Sequence, residues 1–572
     1  MDIRQLQLAI VQIVCALLAS LLVVAPARAQ KVSFDVTTYG DFHINFIDIR
    51  TQGGLGMGVS RVYNSLDNDR TGRFGNGWSA QAETYVTVEA DGSIVIHEYG
   101  GGANNAFQPT TLSRRASTDI LNEIMRAAEE TGKFGSDADR LAYRQWLETD
   151  DNEEYAWENF ASLGLVRQQD PPIGETFFSG RFDTEFVTRV PEGYQREMKY
   201  TGGVLFQAFN FGGRLTRYWD TNHNFIALSY GQDGNIQEAL DNEGDRFAFS
   251  TKNGLVARVN DAPDHLVLYD YKTSNVPYSG YDLTSVTVDG KKTRYDYDRN
   301  DRIIAIWYPD STSMHITYDQ TGKATSVKDT DGTMTTYSYT TRRTQMIDVS
   351  TFEEDIHKSN GEIQRDTFQS FYDPPDYYKD KEIETDDGVV VKTTTYNSNG
   401  DELTSTTAKG STEYGYDSLD REILEKEPTG RTLTWQYDPA TGSVSVTNET
   451  DKNSVLTEHF EYDPRGNLAR AYDNDGHDFT INHDEHGRIA SVSGTIHLSF
   501  QYPNGRAPNP TTVALDGVDS VGISYLPNGD VEKAQSLGGD VVVDKVRVAL
   551  KTVDDLISDA GFDVVTLPAT SK

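Results

Sequence analysis

The sequence contains a single cysteine, Cys15, and it falls inside an apolar N-terminal segment. The rest of the chain can form no disulfide, so its stability must come from packing and backbone pairing. Basic residues are scarce: 52 Lys and Arg stand against 88 Asp and Glu, a formal net charge of −36. Such a chain repels a phosphate backbone, which argues against a nucleic-acid partner. The acid is spread along the chain and not gathered in a tail. A solvated surface is the plain reading of it, and binding of cations or a basic partner the sharper one. A G-x-S-x-G elbow, a phosphate-binding glycine loop and a cysteine nucleophile outside residues 1–29 are all missing. Beyond residue 25 no segment is apolar enough to span a bilayer.

What is present begins with that N-terminal segment. Arg4 gives a weakly positive start, an apolar run follows from Leu8 to Ala25, and Ala27-Arg28-Ala29 has small residues at both key positions of an A-x-A cleavage site. This predicts a secretory signal over residues 1–29, cut after Ala29. The alternative is an uncleaved anchor helix. Removing Arg4, Arg28 and Asp2 leaves a charge of −37. The expected location is secreted or periplasmic, with cell-surface association open. Leu567-Pro568-Ala569-Thr570 echoes a wall-sorting signal but lacks the glycine and hydrophobic stretch that should follow.

The body of the chain is periodic. Tyr297 opens YDRNDRI, Tyr318 opens YDQTGKA, and Tyr339 stands one step further, at spacings of 21 and 21. A second series runs Tyr396, Tyr416, Tyr437, Tyr462, His483, Tyr502 and Tyr525, at spacings of 20, 21, 25, 21, 19 and 23. Weaker copies lie at Tyr218 and Tyr230. In each unit an Asp after the Tyr can accept backbone hydrogen bonds and start a turn, and Gly, Asp or Asn takes the position needing positive φ. An apolar residue then begins the next strand. Met314, Ile316 and Tyr318 alternate with Ser313, His315 and Thr317, as a half-buried strand requires. A second turn, such as Asp331-Gly332 or Asp475-Gly476, falls midway. One unit is therefore two short strands and two turns, and consecutive units pair into an antiparallel ribbon with edges to be managed.

These units resemble the YD repeat of the RHS family, in which Tyr-Asp is followed by Gly-Arg or Gly-Asn and an apolar residue. "LGMGVSRVYNS" and "GRFGNGWSAQAETYVTVEADGSIVIHEYGGGANNAF" resemble the segment that leads such arrays. Arg61, Tyr63, Asn64 and Ser65 match R-x-Y-N-S, and Gly75, Gly77 and Trp78 match G-x-G-W. The resemblance spans roughly residues 35–108 and 200–535. It implies an all-β fold and, as candidate ligand, a carbohydrate or another surface protein. The chain is shorter than arrays that close into hollow shells. It lacks the DP-x-G-L motif that precedes a released C-terminal toxin: Asp463-Pro464-Arg465-Gly466 runs into Asn467. It is thus expected to be a short member without the toxin region.

The expected organisation is a signal peptide (1–29), a β-rich leader (30–112), a helical insertion (113–170), a first repeat block (171–345), an irregular insertion (346–395), a second block (396–535) and a C-terminal strand and amphipathic helix (536–572). Ile120, Ile124 and Ala128, then Leu141, Trp146 and Leu147, have helical spacing, predicting two or three helices between Ser117 and Leu165. Residues 346–392 break the period and contain Pro374-Pro375. Val541–Val543 suits a strand. Val546, Leu550, Val553 and Ile557 share one helix face that could cap the array.

The stretch YDPRGNLARAYDNDGHDFTINHDEHGRIASV, residues 462–492, packs five Asp, one Glu and three His together. His483-x-x-His486 has a zinc-like spacing, but a turn offers no helix to converge both rings and no third ligand is fixed. Asp473, Asp475 and Asp478 could offer weak calcium ligands, although position twelve of an EF-type loop would be Asp484 and not Glu. Repeat turns explain both patterns. Carboxylate pairs for a glycosidase need a spatial separation that sequence does not give. Aromatic faces can stack on sugars, but Tyr63, Tyr297 and their counterparts are read first as sheet packing. No catalytic, cofactor-binding or metal-ligating residue is assigned, and no cofactor is expected.

The expected fold is an all-β antiparallel YD-repeat ribbon or open shell with a helical insertion and a short C-terminal helix. It is expected to act as an exported scaffold, binding carbohydrate or a surface or envelope protein without catalysis. The alternatives are a component of an RHS-type toxin delivery or encapsulating system, or a glycan-active enzyme.

Overall fold

The computed structural model describes residues 34–568, apart from 52–54, 69–70, 101–102, 149–151, 168, 180–184, 201–202, 263–264, 278–279, 343–347, 358–360, 362, 374–377, 440, 453, 506 and 527–529. The expected signal segment, Pro374-Pro375 and Ala569-Thr570 lie outside the described residues. The chain divides into two compact units, one of residues 82–198 and 206–217, the other of 34–81, 199–205 and 218–568.

In the first unit an antiparallel ladder joins Tyr85–Val88, Ile94–Glu98, Ala103–Pro109, Thr176–Ser179 and Glu185–Val190 to the strand starting at Gly193. Phe177 pairs with Pro109, so residues 113–170 are inserted between two neighbouring strands. Three helices fill the insertion: Ser117–Glu130, Asp137–Leu147 and Asn152–Ser162. Ser136 caps the second by accepting the Asp139 N–H. Ile120, Ile124, Ala128, Leu147, Trp157 and Phe160 form their common core, whereas Leu141 is exposed.

In the second unit, Phe34–Val36, Phe42–Arg50, Gly58–Asn64 and Trp78–Ala80 form a four-stranded antiparallel sheet. A separate run of antiparallel pairs continues without a break from Phe225–Tyr230 to Val531–Gln535, each strand bonded to the next in sequence. Met314 and Ile316 are buried, and Ser313 and His315 point the other way, as period-2 alternation requires.

Residues 346–395 do not leave this ladder. Asp348–His357, Ile363–Asp373 and Tyr378–Asp386 are strands of ten, eleven and nine residues that pair in order. They break the period because their strands are longer, so that the Tyr-Asp at 372–373, which carries its own register slip, falls 33 residues after Tyr339. Among the described residues between Tyr372 and Val444 no apolar side chain is buried.

Val541–Val543 starts the helix Asp540–Ile557 and is not a strand. The β-branched run favours extension locally, but Val542, Val543, Val546, Leu550 and Val553 line one buried helix stripe. That stripe shares a core with Phe460, Leu468, Phe479, Val492 and Val513 of the last repeats, and tertiary burial outweighs propensity.

Candidate functional site

Most repeat tyrosines mark a register shift. The pairing slips between Asp296 and Tyr297, Thr317 and Tyr318, Gly415 and Tyr416, and Gln436 and Tyr437, whereas Tyr339 pairs with Phe352 without a slip. With or without the bulge, the ring lies back along the sheet, where its hydroxyl donates to a carbonyl of an earlier strand: Tyr318 to Ile303 (2.9 Å), Tyr339 to Ala324 (2.8 Å), Tyr416 to Glu402 (2.8 Å) and Tyr437 to Glu422 (2.6 Å). The following Asp closes the turn. Asp417 Oδ1 accepts from the Leu419 and Arg421 N–H groups, and Asp484 Oδ1 from those of His486 and Arg488. The residue after the turn glycine, or its Asp replacement, is then fixed twice. Arg421 pairs with Asp417 at 2.6 Å and lies 4.3 Å from the centre of the next repeat's Tyr437 ring. Arg488 likewise pairs with Asp484 and covers Tyr502 at 4.1 Å. The repeat motif is thus a self-contained fastening.

The acidic, histidine-rich stretch consists of such turns. Asp473 accepts from the Asp475 and His477 N–H groups, and its other oxygen lies 2.6 Å from His477 Nδ1. Asp478 pairs with Arg470 at 2.8 Å. His483 occupies a tyrosine position with its ring near Phe562, and burial lowers its pKa. His486 instead faces Glu243 at 3.3 Å. Among the described residues no group of three His, Cys, Asp or Glu is arranged to hold a metal.

The leader motifs lock onto the first repeats within the second unit. Arg61 is fully buried and gives Asp48 two bonds, of 2.5 and 2.8 Å, while Tyr269 donates to the same carboxylate at 2.8 Å. Trp78 lies under the guanidinium at 4.5 Å and donates to Tyr297 Oη at 3.0 Å. Tyr63 Oη accepts the Ile303 N–H at 2.9 Å. Gly75 has φ +99°, and a Cβ there would stand 2.8 Å from the Tyr281 carbonyl, so the close approach needs glycine. Tyr63 and Tyr297 are therefore packing residues.

One open feature remains on the opposite face of these strands. Tyr281–Val288 and Lys291–Tyr297 pair only from Val288↔Lys291 to Ser285↔Arg294. Beyond that point they diverge around a recess of about 570 Å³ whose walls include Asp270, Lys272, Ser285, Lys292, Arg294 and Asp296. Asp270 accepts from Ser285 (2.7 Å) and Lys292 (3.2 Å), which hold its carboxyl below the usual range. Trp307, 36% exposed, is the direct cross-strand partner of Arg294, and its indole N–H donates to Asp296 at 2.7 Å. His315 meets that ring edge-on at 5.4 Å. Arg294 is exposed and has no hydrogen-bond or ion-pair partner among the described residues. Composition and repeat spacing give no sign of this place. Its trace in the sequence is K-x-R-x-D at 292–296, three charges on one face of a strand.

The fold and its fastening define a YD-repeat β protein with an N-terminal leader. Residues 36–105 match a domain of unknown function (DUF6531), and residues 378–496 match the Teneurin YD-shell family. Over 103 residues the chain is 32% identical to the tRNA nuclease WapA of Bacillus subtilis (strain 168), covering 17% of this chain and 4% of that protein. The tRNA3(Ser)-specific nuclease WapA of Bacillus spizizenii matches to the same extent, 32% over 103 residues, 17% of this chain and 4% of that one. The chain thus spans a small fraction of these relatives' length. A crystal structure titled TcdB2-TccC3-TEV covers 79% of this chain and 34% of its own at 10% identity, with a TM-score of 0.29. The chain is thus similar to RHS/YD-repeat proteins over its leader and part of its repeats. Among the described residues no helix is long and apolar enough to cross a membrane.

Proposed function

We propose that this RHS-type scaffold is exported and presents a binding surface for carbohydrate or for a surface or envelope protein, without chemistry of its own. The observation that carries this is how the repeat side chains are used. Tyr416 bonds the Glu402 carbonyl, Asp417 pairs with Arg421 and Arg421 covers Tyr437, whereas Trp307, Arg294 and the recess beside them are open. An exposed aromatic beside unsatisfied polar groups is the usual equipment of a recognition surface. The A-x-A motif at residues 27–29 supports export. A glycan array probed with residues 30–572, run beside capture of envelope proteins, tests the reading. Silence in both would overturn it.

A second reading, as a component of a delivery or encapsulating system, draws support from strands 378–437, whose described residues bury no apolar side chain and leave room for another polypeptide. Co-purification of a cargo with the full chain, together with silence across sugars, would favour it over the first.

A further inference from the structure

We propose that the recess between Tyr281–Val288 and Lys291–Tyr297 is a subsite for a carboxylated sugar, with Arg294 binding the carboxylate and Trp307 stacking on the ring; this rests on the glycan-binding reading above.

Asp270, Ser285, Arg294, Trp307 and Ser313 are successive cross-strand partners and so form one row across five strands, on one face. The row offers a cation, an aromatic face and hydroxyl- and carboxylate-type hydrogen-bonding groups, the mixture a sugar acid requires. Trp307 is held in place by Asp296, so its ring is oriented before any ligand arrives. That reduces the ordering cost of binding.

The charges choose among anions. Lys292 is engaged by Asp270, and Lys272 by Asp282 at 3.4 Å. Arg294 is left with its planar fork of donors free, the geometry that takes a carboxylate through two parallel bonds. Asp270 and Asp296 in the same walls would repel a dianionic phosphate, yet they can accept hydrogen bonds from ring hydroxyls. The field of a chain at −36 further disfavours densely sulfated or phosphorylated polymers. A single carboxylate flanked by hydroxyls, as in a uronate or sialate unit, fits both constraints. A recess of about 570 Å³ lies within the range of small-molecule sites, with room for one to two sugar units.

The test is calorimetric titration of residues 30–572 with carboxylated oligosaccharides, trigalacturonate and 3′-sialyllactose, beside their methyl esters. The expected result is binding of at least one acid that weakens about tenfold or more on esterification. R294Q should remove that preference, leaving acid and ester equal, and R294K should restore part of it. W307A should weaken acid and ester alike. Both side chains are exposed, so circular dichroism melts of the variants should match the parent. Equal binding of acid and ester by the parent, no effect of R294Q, or no binding of either acid would overturn the assignment. Retained capture of a neutral glycan or an envelope protein in those cases would leave the scaffold reading standing.

Discussion

Arg61 shows how much one side chain can hold in this molecule. It is fully buried, paired with Asp48 and flanked by Trp78 and Tyr269. Burying both charges is itself expensive, so the pair is weak evidence of net stabilisation; removing one partner is what costs heavily. R61M should therefore destabilise the protein by about 3–5 kcal/mol, read as a lower urea midpoint, because Asp48 is left buried and uncompensated. The repeat tyrosines are cheaper individually. Y437F deletes only the bond to the Glu422 carbonyl and keeps the ring under Arg421, so a loss of about 0.5–1.5 kcal/mol is expected in the same measurement. The residue types of this device were legible in the sequence: the Tyr, the Asp and the positive-φ turn stand in every good copy. The partnership between one unit's Arg and the next unit's Tyr was not, since it joins residues sixteen apart across a bulge, as Arg421 and Tyr437 are. Nor was the recess, because strand divergence after Ser285↔Arg294 leaves no mark in alternation.

Among the elements, the C-terminal helix carries a titratable weakness. Glu458 is buried, and burial raises its pKa to about 8, with Asp559 and Asp473 adding to the shift and the Thr447 hydroxyl opposing it. Its carboxyl meets that of Asp559, in the short turn Ser558–Ala560 that ends the helix, and this like-charged neighbour favours the protonated form of Glu458. A carboxyl whose folded pKa lies above its unfolded value near 4.5 binds more protons in the native state. Stability must then fall as pH rises from about 4.5 towards 8. Thermal melts should show that decline for the parent chain, and E458Q should flatten it. An unchanged slope in E458Q would refute the account. This helix was readable from the spacing of Val546, Leu550, Val553 and Ile557. Its first turn was not, because Val541–Val543 has strand-like chemistry and only the packing of Val542 and Val543 against the last repeats decides it. The long strands of 348–386 escaped for the reverse reason: they pair normally, but their length moves Tyr372-Asp373 off the interval that makes the period visible.

For the whole chain, the main ladder is built from neighbours in sequence, while the leader is tied to it over great chain separation. Tyr63 reaches Ile303, and Trp78 reaches Tyr297. Contacts of the first kind close small loops and form early; those of the second wait for the ladder. Strands 378–426 take no part in either apolar core, which makes them the place where the chain should tolerate editing. Deleting residues 397–416 joins Tyr396 directly to Asp417 and recreates a complete Tyr-Asp turn. The shortened protein is expected to remain folded and monodisperse, with its melting temperature within a few degrees of the parent. Cutting ten residues instead would put the aromatic face on the wrong side of a turn and should give aggregates in size-exclusion chromatography.

The fastening of a tyrosine to the unit before it, and of Arg302, Lys323, Arg421 and Arg488 to the tyrosine after each, gives neighbouring modules matching sockets. A gene encoding such a protein can gain or lose a copy by unequal recombination without inventing a new joint. Array length is then an inheritable dimension, free to drift while the leader and the terminal helix keep their own lineages.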